Sequence, residues 1–207
     1  MAALKNIILD LGGVILDIDY KRTEQAFIDL GFANFSDMYS QYNADAIFSR
    51  LETGHITNDA FYEYIISKAP KPITREQVRD AWNAMLLDFR VDTLEFIKEL
   101  RKHYKVYLLS NTNAIHLEAF GQILKDQINE LSLDPYFDTT WYSHKIGFRK
   151  PNADVFEFVL KEEDLNPGET LFVDDSSNNI DSAQKLGLRT HLLLAPERLE
   201  QVGPIAF

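Results

Sequence analysis

Apolar residues fall along this chain in two rhythms. Short unbroken runs, Ile7-Ile8-Leu9, Val106-Tyr107-Leu108-Leu109, Leu171-Phe172-Val173 and Leu192-Leu193-Leu194, are each bounded by polar or turn residues. Runs of this length predict strands buried on both faces. Between them the apolar positions recur at helical spacing. Leu94, Ile97 and Leu100 mark one helix, and a mostly helical stretch follows residue 112. Val155, Phe156, Val159 and Leu160 mark another, and Ile180, Ala183 and Leu186 a last one that Gly187 closes. A short strand and a loop are expected between Tyr136 and Pro151. Strands separated by helices imply a parallel sheet with right-handed crossovers.

From Tyr20 to about Met85 the rhythm changes. One amphipathic helix runs through Ala26, Phe27 and Leu30 to a stop at Gly31, and a second spans Ser36, a plausible cap, to Gly54. A third starts at Thr57 and ends before Pro70, and a fourth opens on Thr74 with Gln77 three residues on, a capping-box pattern. No strand is predicted among them. Their Phe and Tyr residues are most simply the core of a small bundle. The predicted fold class is α/β, a Rossmann-like parallel sheet with helices on both faces, plus an inserted four-helix domain. The expected boundaries are 1–16 and 89–207 for the sheet domain and 17–88 for the insert.

Composition narrows the partners. At 207 residues with 45% hydrophobic and 26% charged content, a packed core is expected. A net charge of −11 with no Lys/Arg run argues against nucleic-acid binding, which needs a basic face to displace counterions. No cysteine is present, excluding disulfides and thiolate chemistry. The five histidines (55, 103, 116, 144 and 191) lack zinc-ligand spacing and read as ordinary surface or core residues. No apolar run reaches membrane-spanning length, and the chain enters a strand almost at once, so no membrane association and a cytoplasmic location are expected.

The chemistry gathers where predicted strands end. The first runs straight into Asp10 and the pair Gly12-Gly13. An acid there is either an ordinary turn residue or a reactive group delivered to the rim of the sheet, where α/β ligands bind. After the next central strand come Ser110 and Asn111, either caps of the following helix or part of a phosphate site at its N-terminus. After the third come Asp174 and Asp175. Adjacent carboxylates repel one another unless donors or a cation such as Mg²⁺ hold them. Lys150, before Pro151, is either a surface lysine or a point cation for Asp10 and a phosphate oxygen. Its neighbour Arg149 is expected to face solvent.

In the order Asp10, Ser110, Lys150, Asp174-Asp175, these residues resemble the four motifs of the haloacid dehalogenase-like hydrolase superfamily, across nearly the whole chain. The helical insert, with its LETGHIT phrase, is similar to that superfamily's cap. The combination DLGGVILDID, LSNTNAIH, GFRKP and FVDDSSNNI resembles the branch containing bacterial α-glucose-1-phosphate phosphatases, some of whose members carry epoxide-hydrolase-like names. The resemblance implies a Mg²⁺-dependent phosphatase acting on a small phosphorylated metabolite such as a hexose 1-phosphate, with no obligate protein partner. In it Asp10 is the nucleophile and forms an aspartyl-phosphate. Asp10, the Gly12 carbonyl and Asp175 hold Mg²⁺, with Asp174 supporting or sharing it. Ser110 and the Asn111 backbone bind the phosphoryl group, and Lys150 steadies it and Asp10.

One position departs from the pattern. Most phosphatases of the superfamily carry a second Asp two residues after the nucleophile, as general acid and base, and here that position is Gly12. Asp17 or Asp19 are candidates to take over the proton work, or else are turn and cap residues. Gly12 also keeps two other readings open. One is a dehalogenase using Asp10 on carbon, without metal or leaving-group acid. The other is a sugar-phosphate-binding protein of weakened turnover.

Overall fold

The computed structural model describes residues 3–33, 35, 39 and 46–202. Five strands form one parallel sheet: β1 (Asn6–Leu9), β4 (Lys105–Ser110), β5 (Thr139–Tyr142), β6 (Thr170–Asp174) and β7 (Arg189–Leu192). Their order is β5-β4-β1-β6-β7. From β1 the chain builds outward through β4 to β5, then returns to the other side for β6 and β7. The reversal of direction at β1 opens a crevice at the carboxyl ends of β1, β4 and β6, the usual ligand position in such sheets.

The unbroken apolar runs follow from burial of both sheet faces. Ile7, Leu9, Val106, Leu108, Leu171 and Val173 pack with Leu94 and Ile97 of α5 (Val91–Leu100) and Phe120 and Leu124 of α6 (Ala114–Ile128). Their alternates Ile8, Tyr107, Leu109 and Phe172 pack on the other face. There they meet Val155 and Val159 of α8 (Ala153–Glu162) and Ile180 and Ala183 of α9 (Ser177–Lys185). With period-two alternation, each central strand needs apolar side chains at every position.

Between residues 19 and 85 the described residues include four helices: α1 (Tyr20–Asp29), α2 (Ala46–Glu52), α3 (Asn58–Lys68) and α4 (Arg75–Asn83). Three expected caps are present. Gly31 sits at φ 108° just after α1, the Thr57 hydroxyl accepts from Ala60 N–H, and Thr74 and Gln77 form a capping box. The expected cap at Ser36 lies outside the described residues. These helices enclose a second apolar cluster centred on Trp82, whose ring lies 4.6 Å from Tyr39, 5.2 Å from Phe48 and 5.5 Å from Phe61.

Two elements differ from expectation. A two-stranded antiparallel ribbon, β2 (Leu16–Ile18) with β3 (Leu86–Phe89), brackets the four helices where no strand was expected. Strands of three and four residues are too short to carry a readable period. Ile18 and Leu86 pack against both the sheet core and the Trp82 cluster, so the ribbon joins the two. The segment after β5, expected as loop, opens with a one-turn helix, α7 (Ser143–Ile146), closed by Gly147 at φ 81°. Among the described residues no helix is long and apolar enough to cross a membrane.

Candidate active site

Register brings the strand ends together. Leu9 of β1 stands between Leu108 and Val173, and Asp10 N–H donates to the Val173 carbonyl at 2.9 Å. The residues just beyond, Asp10, Ser110 and Asp174, therefore emerge side by side. Asp10, Asp174 and Asp175 each offer an oxygen lying within 4.8 Å of the others.

Lys150 occupies the middle of this acidic group. Its side chain is 1% exposed, and Nζ donates to Asp10 Oδ1 and Asp174 Oδ2, both at 2.7 Å. Burial alone would pull the ammonium down, but the two carboxylates outweigh it and hold its pKa above the ordinary lysine value. The surface reading of Lys150 is therefore excluded. Its backbone is clamped by Asn111, whose Oδ1 accepts from Lys150 N–H at 2.9 Å and whose Nδ2 donates to the Lys150 carbonyl at 2.8 Å. The peptide bond to Pro151 is cis.

Asp174 is saturated by protein donors. Oδ1 accepts from Ser176 N–H and Asn179 Nδ2, and Oδ2 from Lys150 Nζ and Asn179 Nδ2, at 2.7–3.0 Å. Two acceptor sites per oxygen are then used, so Asp174 holds Lys150 and the α9 start. Asp10 and Asp175 differ. Burial, opposed by Lys150 and reinforced by Asp174, pushes Asp10 up to about 7. Burial and then Asp174 push Asp175 up to about 6. Both pKa values mark sites where a cation would be welcome, since it favours the charged forms. Close oxygens of this kind suit a hard divalent ion such as Mg²⁺.

The glycine pair has a steric explanation. A Cβ on Gly13, which sits at φ 71°, would overlap the Asp175 carboxylate. Only glycine lets the first loop turn there and lets Asp175 lie against it. Gly13→Ala should therefore displace Asp175 and weaken Mg²⁺ binding at least about tenfold, as loss of a metal ligand or of the groups that orient it does. Calorimetric titration of Mg²⁺ into the metal-free protein measures this, and unchanged affinity would refute the steric account. At Gly12 a Cβ would lie 3.1 Å from Ile18 Cγ1. A side chain at this position would need Ile18 of the β2–β3 ribbon to give by a few tenths of an ångström.

The candidate substitutes for that acid are both engaged. Asp17 Oδ1 accepts from Arg90 Nε at 2.7 Å and Arg198 Nη1 at 3.3 Å. Asp19 Oδ1 caps α1 by accepting from Lys21 N–H at 3.0 Å. They are the structural residues of the two readings. Ser110 is buried at the end of β4, and Asn113 caps α6 by accepting from Ile115 and His116 N–H. Ser143 Oγ accepts from Thr112 N–H and donates to the Thr112 carbonyl, both at 2.9 Å, which anchors this loop to α7.

Arg149 requires a correction. Instead of facing solvent, its Nη2 lies 2.9 Å from Oε2 of buried Glu52 on α2. Glu52 Oε1 in turn accepts from the Tyr39 hydroxyl at 3.1 Å. A guanidinium beside an apolar Phe148 and a loop lysine gave no sign of this, because its partner lies almost a hundred residues earlier. Asn179 and Ser143 were also missed. Only Asn179 had a local signal, an amide five residues after Asp174 on the following helix's first turn. His116 is a core histidine, as one of its readings held. It stacks 4.7 Å from Trp82, donates Nε2–H to the Trp82 carbonyl at 3.1 Å, and is pulled down to about 4 by burial.

Known proteins resemble this chain in sequence and fold. The chain is 36% identical over 187 residues, 90% of each sequence, to a D-ribitol-5-phosphate phosphatase of Bacteroides thetaiotaomicron. It is 30% identical to the sesquiterpene phosphatase astK of Aspergillus oryzae, over 89% of this chain and 87% of that one. The HAD family enzyme bt-2542 of Bacteroides thetaiotaomicron, solved with magnesium and inorganic phosphate, superposes with a TM-score of 0.85. That match has 34% identity and covers 95% of this chain and 98% of the other. The haloacid dehalogenase-like hydrolase model matches residues 4–187, and with the fold and the strand-end carboxylates in agreement, this chain belongs to that family of hydrolases.

Proposed function

We propose that this protein is a Mg²⁺-dependent phosphatase of a small phosphorylated metabolite whose alcohol carries several hydroxyls, a sugar or sugar-alcohol phosphate. One observation carries the reading: a buried lysine bonded to two strand-end carboxylates, with a third in reach, at the crevice of the sheet. The phosphatase names of the relatives support it, and the D-ribitol-5-phosphate phosphatase supports the substrate class. Hexose 1-phosphates remain within that class.

In this mechanism Asp10 attacks phosphorus, forming an aspartyl-phosphate as the bond to the leaving oxygen breaks, and water then cleaves the acyl phosphate. Lys150 holds the Asp10 carboxylate and offsets charge on the transferred group, which receives donors from Ser110 and the backbone at Asn111. Asp10, the Gly12 carbonyl and Asp175 would hold Mg²⁺, with Asp174 behind them. When bound, the ion adds positive charge where phosphoryl oxygens gather. Residues 17–88 act as the cap over the core formed by 1–16 and 89–207. With no carboxyl at Gly12 and with Asp17 and Asp19 engaged, no assigned side chain protonates the leaving oxygen. Turnover should therefore rise with the acidity of the leaving alcohol. The dehalogenase reading has no use for Asp175 beside Asp10, and the binding-protein reading has none for a nucleophile held by lysine.

A screen of phosphate release over sugar, alditol and aryl phosphates tests this, with Mg²⁺ and with chelator. Release is expected only with Mg²⁺. It should fall as pH drops through 7 to 6, because the raised pKa values of Asp10 and Asp175 let protons compete with the ion. Release that persists in chelator, or halide release from haloacids instead, would overturn the reading.

A further inference from the structure

The turn that follows Asp10 is held from behind by a residue to which the chemistry above gives no part. Residues 11–16 fold tightly on themselves. Gly13 N–H donates to the Leu16 carbonyl, and Ile15 and Leu16 N–H both donate to the Leu11 carbonyl, at 2.8–2.9 Å. None of these bonds uses the Gly12 carbonyl, the backbone group assigned to Mg²⁺. Val14 and Ile15 are fully buried, so their carbonyls need partners. Both find Arg90. Its N–H donates to the Ile15 carbonyl at 2.8 Å, and its Nη1 donates to the Val14 carbonyl at 3.0 Å.

Arg90 is fixed in turn. It stands between β3 and α5, with a side chain only 10% exposed. Nε and Nη2 each lie 2.7 Å from Asp17 Oδ1 on β2, and Arg198 Nη1 meets the same oxygen at 3.3 Å. The guanidinium fork thus reaches the turn with one nitrogen and the ribbon with the other two. A single ammonium has no such planar fork. Asp175, pushed up first by burial and then by Asp174, has Arg90 among the groups that oppose the rise, so the guanidinium stands within electrostatic reach of the metal site.

We infer that Arg90 is a positioning residue for the metal site. By clamping Val14 and Ile15 to the β2–β3 ribbon, it sets the turn so that the Gly12 carbonyl and Gly13 keep their place beside Asp175. Gly13 lies against the Asp175 carboxylate without room for a Cβ, so a drift of the turn would disturb that acid directly. In this role Arg90 acts through the backbone of the turn and not on the reacting atoms. The inference rests on the proposed assignment of Asp10, Gly12 and Asp175 as Mg²⁺ ligands.

Equilibrium titration of Mg²⁺ into the metal-free full chain, below the melting temperature of each variant, tests this without substrate. Arg90→Lys keeps the charge and loses the fork, and Arg90→Met loses both. Affinity should fall about tenfold or more in each, the scale on which loss of groups behind metal ligands acts. Arg198→Met, which removes only the outer contact to Asp17, should bind Mg²⁺ like the parent. Full affinity in Arg90→Lys overturns the inference, because charge alone then suffices. Full affinity in both Arg90 variants overturns it as well, leaving Arg90 a prop of the fold whose loss shows only in the melt. If Arg90→Met does not fold, Arg90→Lys decides alone. If the affinity depends on Arg90 as expected but the parent releases no phosphate from any ester, the positioning role stands and the phosphatase reading fails. A parent that releases phosphate while both variants keep full affinity gives the reverse.

Discussion

Asp10→Asn should abolish phosphate release, by on the order of 10⁴-fold or more, the scale on which removal of a catalytic nucleophile acts. The substitution is nearly isosteric. An amide oxygen still accepts from Lys150, so the strand end should keep its geometry. What disappears is the negative charge that attacks phosphorus, together with one oxygen ligand suited to Mg²⁺. Because Asp10 is a buried carboxyl pushed up to about 7, its neutral replacement should not destabilise the fold. The melting temperature is expected within a few degrees of the parent. Steady-state phosphate release beside a thermal melt decides the matter. Activity within tenfold of the parent would remove Asp10 from the chemistry. A collapsed melt would mean that its role is structural.

Lys150→Met should damage both activity and stability, and the reason lies in desolvation. The side-chain volumes are similar, but Asp10 and Asp174 lose the cation that each meets at 2.7 Å. Stripping one partner from a buried ion pair typically costs about 3–5 kcal/mol, because an uncompensated charge stays inside. For a chain of this size that is a fall of roughly 10 °C in melting temperature. The loss should depend on pH in a defined direction. Without Lys150 the folded-state pKa of Asp10 is raised further, and a raised carboxyl contributes stability at low pH that is lost as pH rises through the folded pKa. The variant should thus melt closest to the parent near pH 5 and furthest below it near pH 8. Equal melting at pH 8 would show that the lysine is dispensable to the carboxylates. Phosphate release at parental rates would separate it from phosphoryl binding.

Much of the architecture was legible in the chain. The unbroken runs around Ile8, Leu108 and Phe172 could belong only to elements buried on both sides, and the intervening helical spacing made the sheet parallel. Thr57, Thr74 and Gln77 announced helix starts because capping is local chemistry between residues three apart. Asp10, Ser110, Lys150 and the Asp174-Asp175 pair stood out because polar groups at the ends of buried strands conflict with local preference. Such conflicts mark functional sites.

What the sequence by itself determined is therefore what depends on neighbours a few positions apart: the strands of the parallel sheet, most helix starts, and the residue types at each strand end. The tertiary structure alone decided which of two readings each polar group takes. Lys150 is buried because Asp10 and Asp174 converge on it from two strands, and Asp17 is a structural partner because Arg90 and Arg198 reach it from far along the chain. Gly13 turned out to make room for Asp175, and Ile18 to lie close beside Gly12. The pairing of Glu52 with Arg149 lies beyond any local pattern. The energy of a charge is set by what surrounds it in space, and the chain order of residues 52 and 149 carries no record of that.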